Sequence, residues 1–255
     1  ASLWNILATF QRDSVLPFIP HCGITKSMAE LTIIIPTLNA APHLRNSLPP
    51  LASFEAIDLV HEVIFADGGS GDTTSEIAEA TGAIHVQSEK GRGKQLAAGA
   101  AMANGRWLLF LHADTRLDDN WHEAVREFVE IPENRLRAGY VRFRLDDDSL
   151  RAFLMARIVA WRARMLGLPY GDQALLISSD HYRQIGGFPE IPLMEDVALV
   201  RRIGRRNLSP LKPEAVTSAE RYRRDDYFLR PMRNLFCLML YFLGTPPRVI
   251  ARIYG

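Results

Sequence analysis

Short apolar runs punctuate the chain, each closed by proline or polar residues and most followed by a stretch with helical spacing. The first, Leu31 to Ile35, is β-branched and stops at Pro36. Such runs read as buried strands, because a strand covered on both faces needs no polar alternation. Ala41 to Leu51 then carries helical spacing, and Glu62 to Ala66 predicts a second strand. Thr73 to Ala80 predicts a helix, Ala83 to Val86 a short third strand, Lys94 to Ala103 an alanine-rich helix, and Arg106 to Leu111 a fourth strand. Alternation at this spacing predicts an α/β fold: a mostly parallel central sheet with right-handed crossovers, flanked by helices.

Beyond Trp121 the pattern loosens. A helix is expected over Trp121 to Val129, and the alternation Tyr140-Val141-Arg142-Phe143-Arg144 predicts a strand with one wet face. A long amphipathic helix comes next, from about Leu150 to Leu166, then a strand over Ala174 to Ile177. Asp196 to Arg206 and Tyr227 to Leu243 predict the last helices. Residues 1–27 fit neither a signal peptide nor a regular element, because Gln11-Arg12-Asp13 interrupts and Pro17, Pro20 and Gly23 break the stretch after it. They are expected to form a weakly ordered leader, with the folded unit starting at Met28.

Composition narrows this only slightly. The chain has 255 residues, 47% hydrophobic and 23% charged, which suits one globular domain with an extension. The two cysteines, Cys22 and Cys237, suggest neither a disulfide framework nor a zinc site and fit a reducing, cytoplasmic setting. Charge adds more. Residues 28–134 carry a balance of −9 and residues 135–255 one of +9. A basic half of this kind suits phosphates, an anionic acceptor or the inner face of a membrane, although most of its arginines read as solvated surface. No segment approaches the roughly 20 apolar residues of a spanning helix. Leu235 to Leu243, preceded by Arg230 and Arg233, instead reads as a buried or interfacial helix.

The candidate chemistry lies where strands end. Asp67 closes the second apolar run, and Asp114 follows the fourth in Leu111-His112-Ala113-Asp114-Thr115. Carboxyl ends of strands are where open α/β sheets bind ligands. With the later pair Glu195-Asp196, these acids suggest a metal-assisted site. Pro36-Thr37-Leu38-Asn39 offers amides and small polar groups to a base or ribose. In Asp67-Gly68-Gly69-Ser70-Gly71-Asp72, Asp67 is the functional candidate and Asp72 the structural one, placed to cap the next helix. Gly91-Arg92-Gly93-Lys94-Gln95 could present amides and cations to phosphate, but alone it reads as a turn and a helix start. Glu195-Asp196 alone reads as a helix cap, and Trp161, Tyr170 and Phe188 as core aromatics.

Taken in order, Ile-Pro-Thr-Leu-Asn, Asp-Gly-Gly-Ser-Gly-Asp-Thr-Thr, Gly-Arg-Gly-Lys-Gln and Leu-His-Ala-Asp-Thr resemble the family 2 glycosyltransferases, inverting nucleotide-sugar enzymes of GT-A fold. Gly171-Asp172-Gln173, Gly186-Gly187-Phe188-Pro189 and Met194-Glu195-Asp196 resemble its acceptor half. The likeness runs from about Leu31 to Tyr254 and extends to a bacterial selenodomain-associated subgroup. It implies one catalytic domain over 28–225, with a donor half 31–115 and an acceptor half 116–225, and a helical extension over 226–255.

The resemblance also implies roles. Pro36, Thr37, Asn39, Asp67, Arg92, Ala113 and Asp114 would bind the donor. Asp114 would be the last acid of the DxD motif and hold Mg²⁺ or Mn²⁺. Asp196 would be the general base, while Gly171, Asp172, Gln173 and Glu195 would meet the acceptor. The partners implied are a nucleotide-sugar donor, with UDP favoured, and a sugar, lipid or small-molecule acceptor; no nucleic acid is expected. Peripheral contact with an anionic membrane fits the basic half.

Three positions depart from the family pattern. His112 replaces the first acid of DxD, and imidazole suits Mn²⁺ better than Mg²⁺, so His112 is a conditional ligand. Gly68 replaces the second acid of the Asp-Asp-Gly-Ser motif, and Ala40 the acid often found after Pro-Thr-x-Asn. These keep a catalytically silent nucleotide-binding domain in play. A nucleotidyltransferase is a weaker rival, lacking glycines and a cation after the first strand. Ser218-Ala219-Glu220-Arg221-Tyr222 echoes, without matching, a motif of processive synthases, and Arg221 there is a candidate diphosphate contact.

Overall fold

The computed structural model describes residues 31–53, 55–219 and 229–254. The expected leader, the start at Met28 and Glu220 to Tyr222 lie outside these residues. Among the described residues one sheet of eight strands forms the centre, ordered β3-β2-β1-β4-β7-β6-β8-β5. Its strands are β1 (Leu31–Thr37), β2 (Val60–Asp67), β3 (Ile84–Gln87), β4 (Trp107–Phe110), β5 (Thr115–Leu117), β6 (Ala138–Leu145), β7 (Leu175–Ser178) and β8 (Leu208–Thr217). Pairing directions make β1, β2, β3, β4, β6 and β8 point one way, with only β5 and β7 opposed. The six co-directional strands therefore end at one edge, where β5 and β7 begin.

The helices are α1 (Ala41–Ser47), α2 (Thr74–Thr81), α3 (Arg92–Met102), α4 (Trp121–Glu130), α5 (Leu150–Leu166), α6 (Ser179–Gln184), α7 (Glu195–Ile203), α8 (Leu229–Phe242) and α9 (Pro247–Tyr254). Side-chain alternation along β1 sorts them into two layers. Ile33 and Ile35 pack with Leu44 of α1, Ile77 of α2 and Trp121 and Phe128 of α4. Ile34 faces the other way, among Leu96 of α3, Val197 and Val200 of α7, Leu238 of α8 and Ile250 of α9.

Helix α3 lies unusually close to the sheet. A Cβ at Gly99 would stand 2.6 Å from Ile34 Cγ2, and one at Gly93 would stand 2.5 Å from the Pro189 carbonyl oxygen. The small residues that predicted helix by propensity thus also permit this approach. The approach seats the first turn of α3 against the loop leading into α7.

Several boundaries differ from expectation for local reasons. The helix expected over Ala41 to Leu51 stops at Ser47, and Pro49 and Pro50 open a separate 3-10 turn. Helix α7 ends at Ile203, before Gly204 with its φ of 80°. Strand β8 escaped the periodicity reading because Pro210 and Pro213 interrupt it. Its pairing with β6 is in fact irregular there, jumping from Tyr140↔Pro210 to Arg142↔Glu214. Short β5 and α6 also went unpredicted, and α9 was not set apart as a separate helix within the extension expected over 226–255.

Candidate active site

The site assembles where the strands end. Thr37 and Asp67 are neighbours across the β1–β2 pair. The Asp67 carboxylate accepts from Thr37 Oγ1 at 2.9 Å, from the Gly69 and Ser70 amides at 3.1 and 2.8 Å, and from Ser70 Oγ. Burial pushes its pKa up, but the bonds from Ser70, Thr37 and Gly69 outweigh that and hold it below the usual carboxylate range. Both oxygens are thus engaged in shaping their own loop.

Asn39 adopts a left-handed φ of 51°, and its Oδ1 accepts from the Gly71 amide. Asp72 accepts from the Ala41 and Thr74 amides and so ties the starts of α1 and α2 together. The role is structural, but Thr73 and not Asp72 occupies the N-cap, because α2 starts at Thr74, one residue later than expected. Gln95 donates through Nε2 to the carbonyls of Thr37 and Ala66. A Cβ at Gly68 would meet that amide at 3.1 Å. The missing acid at position 68 therefore coincides with a glutamine filling its space.

Arg92, at the start of α3, forms an ion pair with Glu195 and lies 3.5 Å from Asp196 Oδ2. Glu195 is 1% exposed, and its Oε2 has no hydrogen-bond partner among the described residues. Burial raises its pKa; Arg92 opposes and Asp196 adds to this, leaving the net shift upward. Asp196 stays nearer solvent, with Oδ1 accepting from the Val197 amide. The adjacent acids therefore divide: Glu195 anchors Arg92 beneath the surface, and Asp196 faces the cavity.

That cavity, of about 140 Å³, is lined by Arg92, His112, Asp114, Tyr170, Asp172, Asp196, Asn234 and Tyr254, among others. An open cleft of about 1110 Å³ adjoins it, lined by residues including His43, Asn46, Arg116, His122 and Asp146. Asp114 and Ser218 border both. Asp172 Oδ1 is buried without a hydrogen-bond partner among the described residues. Burial, with Arg162 opposing and Asp196 and Asp114 assisting, pushes the Asp172 pKa up to about 6. Arg162 stacks 3.4 Å from the Tyr170 ring centre, and burial pushes that phenol up to about 12.

The chain thus gathers Arg92, His112, Asp114, Asp172 and Asp196 around one space. Pro36, Thr37, Asn39 and Asp67 shape the neighbouring β1 and β2 loops instead of lining that space. Ala113 packs against the core, and Gly171 precedes Asp172 in a 3-10 turn. Gln173 is buried and donates to the Val141 carbonyl of β6. Of the aromatics expected in the core, Phe188 sits there, edge-on to Phe110 at 4.8 Å. Tyr170 lines the cavity, and Trp161 is 59% exposed. Arg162, Asn234 and Tyr254 were missed, since each lies inside a helix without a motif to mark it.

A divalent cation fits this site only as a shared guest. No group of three or more His, Cys, Asp or Glu able to hold a metal exists among the described residues. Were Asp114 and His112 to hold a cation, they would leave most of its coordination shell to other oxygens, such as those of a phosphate.

Comparison with known proteins gives the same direction. The sequence profile described as Glycosyl transferase family 2 matches residues 32–170. A PGL/p-HBAD biosynthesis glycosyltransferase of Mycobacterium bovis is 38% identical over 93 residues, 34% of this chain and 36% of that protein. The match thus spans about a third of the curated relative's length. S. aureus TarS 1-349 superposes with a TM-score of 0.56 at 17% identity, covering 82% of this chain and 64% of that one. Glucosyl-3-phosphoglycerate synthase of Mycobacterium tuberculosis, solved with Mn²⁺, UDP and glucosyl-3-phosphoglycerate, gives a TM-score of 0.51 at 20% identity. It covers 80% of this chain and 78% of that one. At such identities the structural likenesses speak for a shared GT-A fold.

Proposed function

Because the chain belongs to glycosyl transferase family 2, we propose that it moves a sugar from a nucleoside diphosphate to an acceptor hydroxyl with inversion. The observation that carries this reading is the convergence of Asp114, Asp172, Asp196 and Arg92 on one cavity at the sheet's ligand-binding edge. Asp196 takes the proton from the acceptor oxygen as that oxygen bonds to the anomeric carbon. The bond from that carbon to the phosphate oxygen breaks, and the nucleoside diphosphate leaves. A single carboxylate suffices for such a displacement. Glu195 is committed to Arg92, which supports Asp196 as the base.

Arg92 brings a fixed positive charge toward the departing diphosphate, held in place from below. Asp114, with His112 beside it, would hold Mg²⁺ or Mn²⁺. When bound, the cation supplies positive charge that stabilises the leaving group. The β1 and β2 loops, already fixed by Asp67 and Gln95, are the surface offered to the nucleoside. UDP is the favoured diphosphate, since the mycobacterial synthase was captured with UDP and Mn²⁺.

Calorimetric titration of UDP, GDP, CDP and dTDP tests this, each with Mn²⁺, with Mg²⁺ and with EDTA. One diphosphate should bind, and binding should disappear with EDTA and in Asp114→Ala. Asp196→Asn should keep that binding while metal-dependent donor turnover falls by about 10²–10⁴. If no diphosphate binds under any condition, the donor site is misassigned and a catalytically silent domain is the better reading.

A further inference from the structure

Helix α5 is built inside out. Its inward side carries Ala152, Val159 and Ala163, which are buried. Its outward side carries Leu150, Phe153, Leu154, Ile158, Trp161 and Met165, each at least 50% exposed. Their spacing places these six on one stripe opposite the small residues. Single exposed apolar side chains are ordinary, but a continuous stripe of large ones marks an interaction surface.

The charge on the same helix narrows the partner. Arg151, Arg157, Arg162 and Arg164 are the only charged residues in α5. The Arg157 guanidinium lies 5.8 Å from the Phe153 ring centre, so cation and apolar stripe share one surface. Helices α8 and α9 repeat the pattern, with Met232, Leu235 and Met239 outward on α8, Arg248 and Arg252 exposed on α9, and no acid in either. Ala163 of α5 and Leu238 of α8 belong to the same buried cluster. No helix among the described residues is long and apolar enough to cross a membrane.

We infer that this side of the molecule docks on an anionic lipid bilayer, with α5 lying in the plane of the interface. An apolar stripe on a helix whose only charges are arginines complements acyl chains below and anionic headgroups beside it, and of the acids just before the helix Asp148 is met by Arg144 at 3.4 Å. Trp161 is the residue type that settles at headgroup depth. A second copy pairing through the same face would set arginine against arginine. The docking stands independently of the donor site, because the stripe contains none of the residues that line the cavity.

Co-sedimentation of the full chain at low salt tests this, with vesicles of phosphatidylcholine alone and of equimolar phosphatidylcholine and phosphatidylglycerol. Binding is expected to the anionic vesicles and to fall with added salt. Ile158→Glu and Trp161→Glu, both at exposed positions, should each weaken it about tenfold or more. Arg164→Gln, which leaves the stripe intact, should weaken it about fivefold, and Met102→Glu, on exposed α3 surface, should change nothing. Circular dichroism of each variant checks that it folds. Failure of the wild type to bind anionic vesicles would overturn the inference. So would equal binding by wild type and both glutamate variants, or a solution dimer without vesicle binding that these variants dissolve.

Discussion

At the scale of single residues, the environment of each acid separates groups that look alike in the sequence. Asp67, Asp114, Asp172, Glu195 and Asp196 are all acids beside a strand end or helix start, yet Asp67 spends its oxygens on its own loop and Glu195 on Arg92. Asp172 is held differently. Burial lifts its pKa to about 6 from an ordinary value of 3.8, so the folded chain favours its protonated form. Its contribution to stability is therefore fully present below the ordinary carboxyl range and is lost as pH rises through about 6. Thermal melts of the wild type should show this loss across that window, and Asp172→Asn should flatten it. Motif order marked Asp114 and Asp196, because each falls at a boundary between an apolar run and polar chain. The saturation of Asp67 was not legible, since it depends on two amides and two hydroxyls that only the folded loop brings together.

Among the elements, α3 shows how packing recruits a local preference. Its alanines and glycines predicted a helix, while the reason for glycine at two positions is tertiary contact. Gly99→Ala should destabilise the chain by about 1–3 kcal/mol through overpacking on Ile34. Gly93→Ala should do so too, and should also weaken diphosphate binding, because the backbone of Pro189 cannot yield as a side chain can. Gly71→Ala, with no atom within 4 Å of its Cβ, should be nearly silent. Urea melts of the three variants would separate these outcomes. Helix α5 carries the opposite lesson. Its bounds were legible to the residue, but not that small side chains would face inward, because apolar residues lie on both sides of it.

For the whole molecule, strand–helix alternation made the parallel half of the sheet legible, up to β4. The second half was less so, because β8 hides its pairing behind two prolines and β5 is only three residues long. The site spans both halves, so ligand binding should be felt by the entire fold. With Asp114 and His112 as the proposed ligands, Mn²⁺ alone should move the melting temperature little, since those two would leave its shell incomplete. Mn²⁺ with UDP at a hundredfold excess over Kd should add about 2.7 kcal/mol, a rise of about 5–10 °C by differential scanning fluorimetry. Equal shifts with and without UDP would contradict a shared guest. The ion pair between Arg92 and Glu195 joins positions 103 residues apart, one from each half. In mechanical terms it is a rivet where many binding proteins keep a hinge. Separating the halves would strand the Glu195 charge, which is 1% exposed, so the pair resists any opening between them.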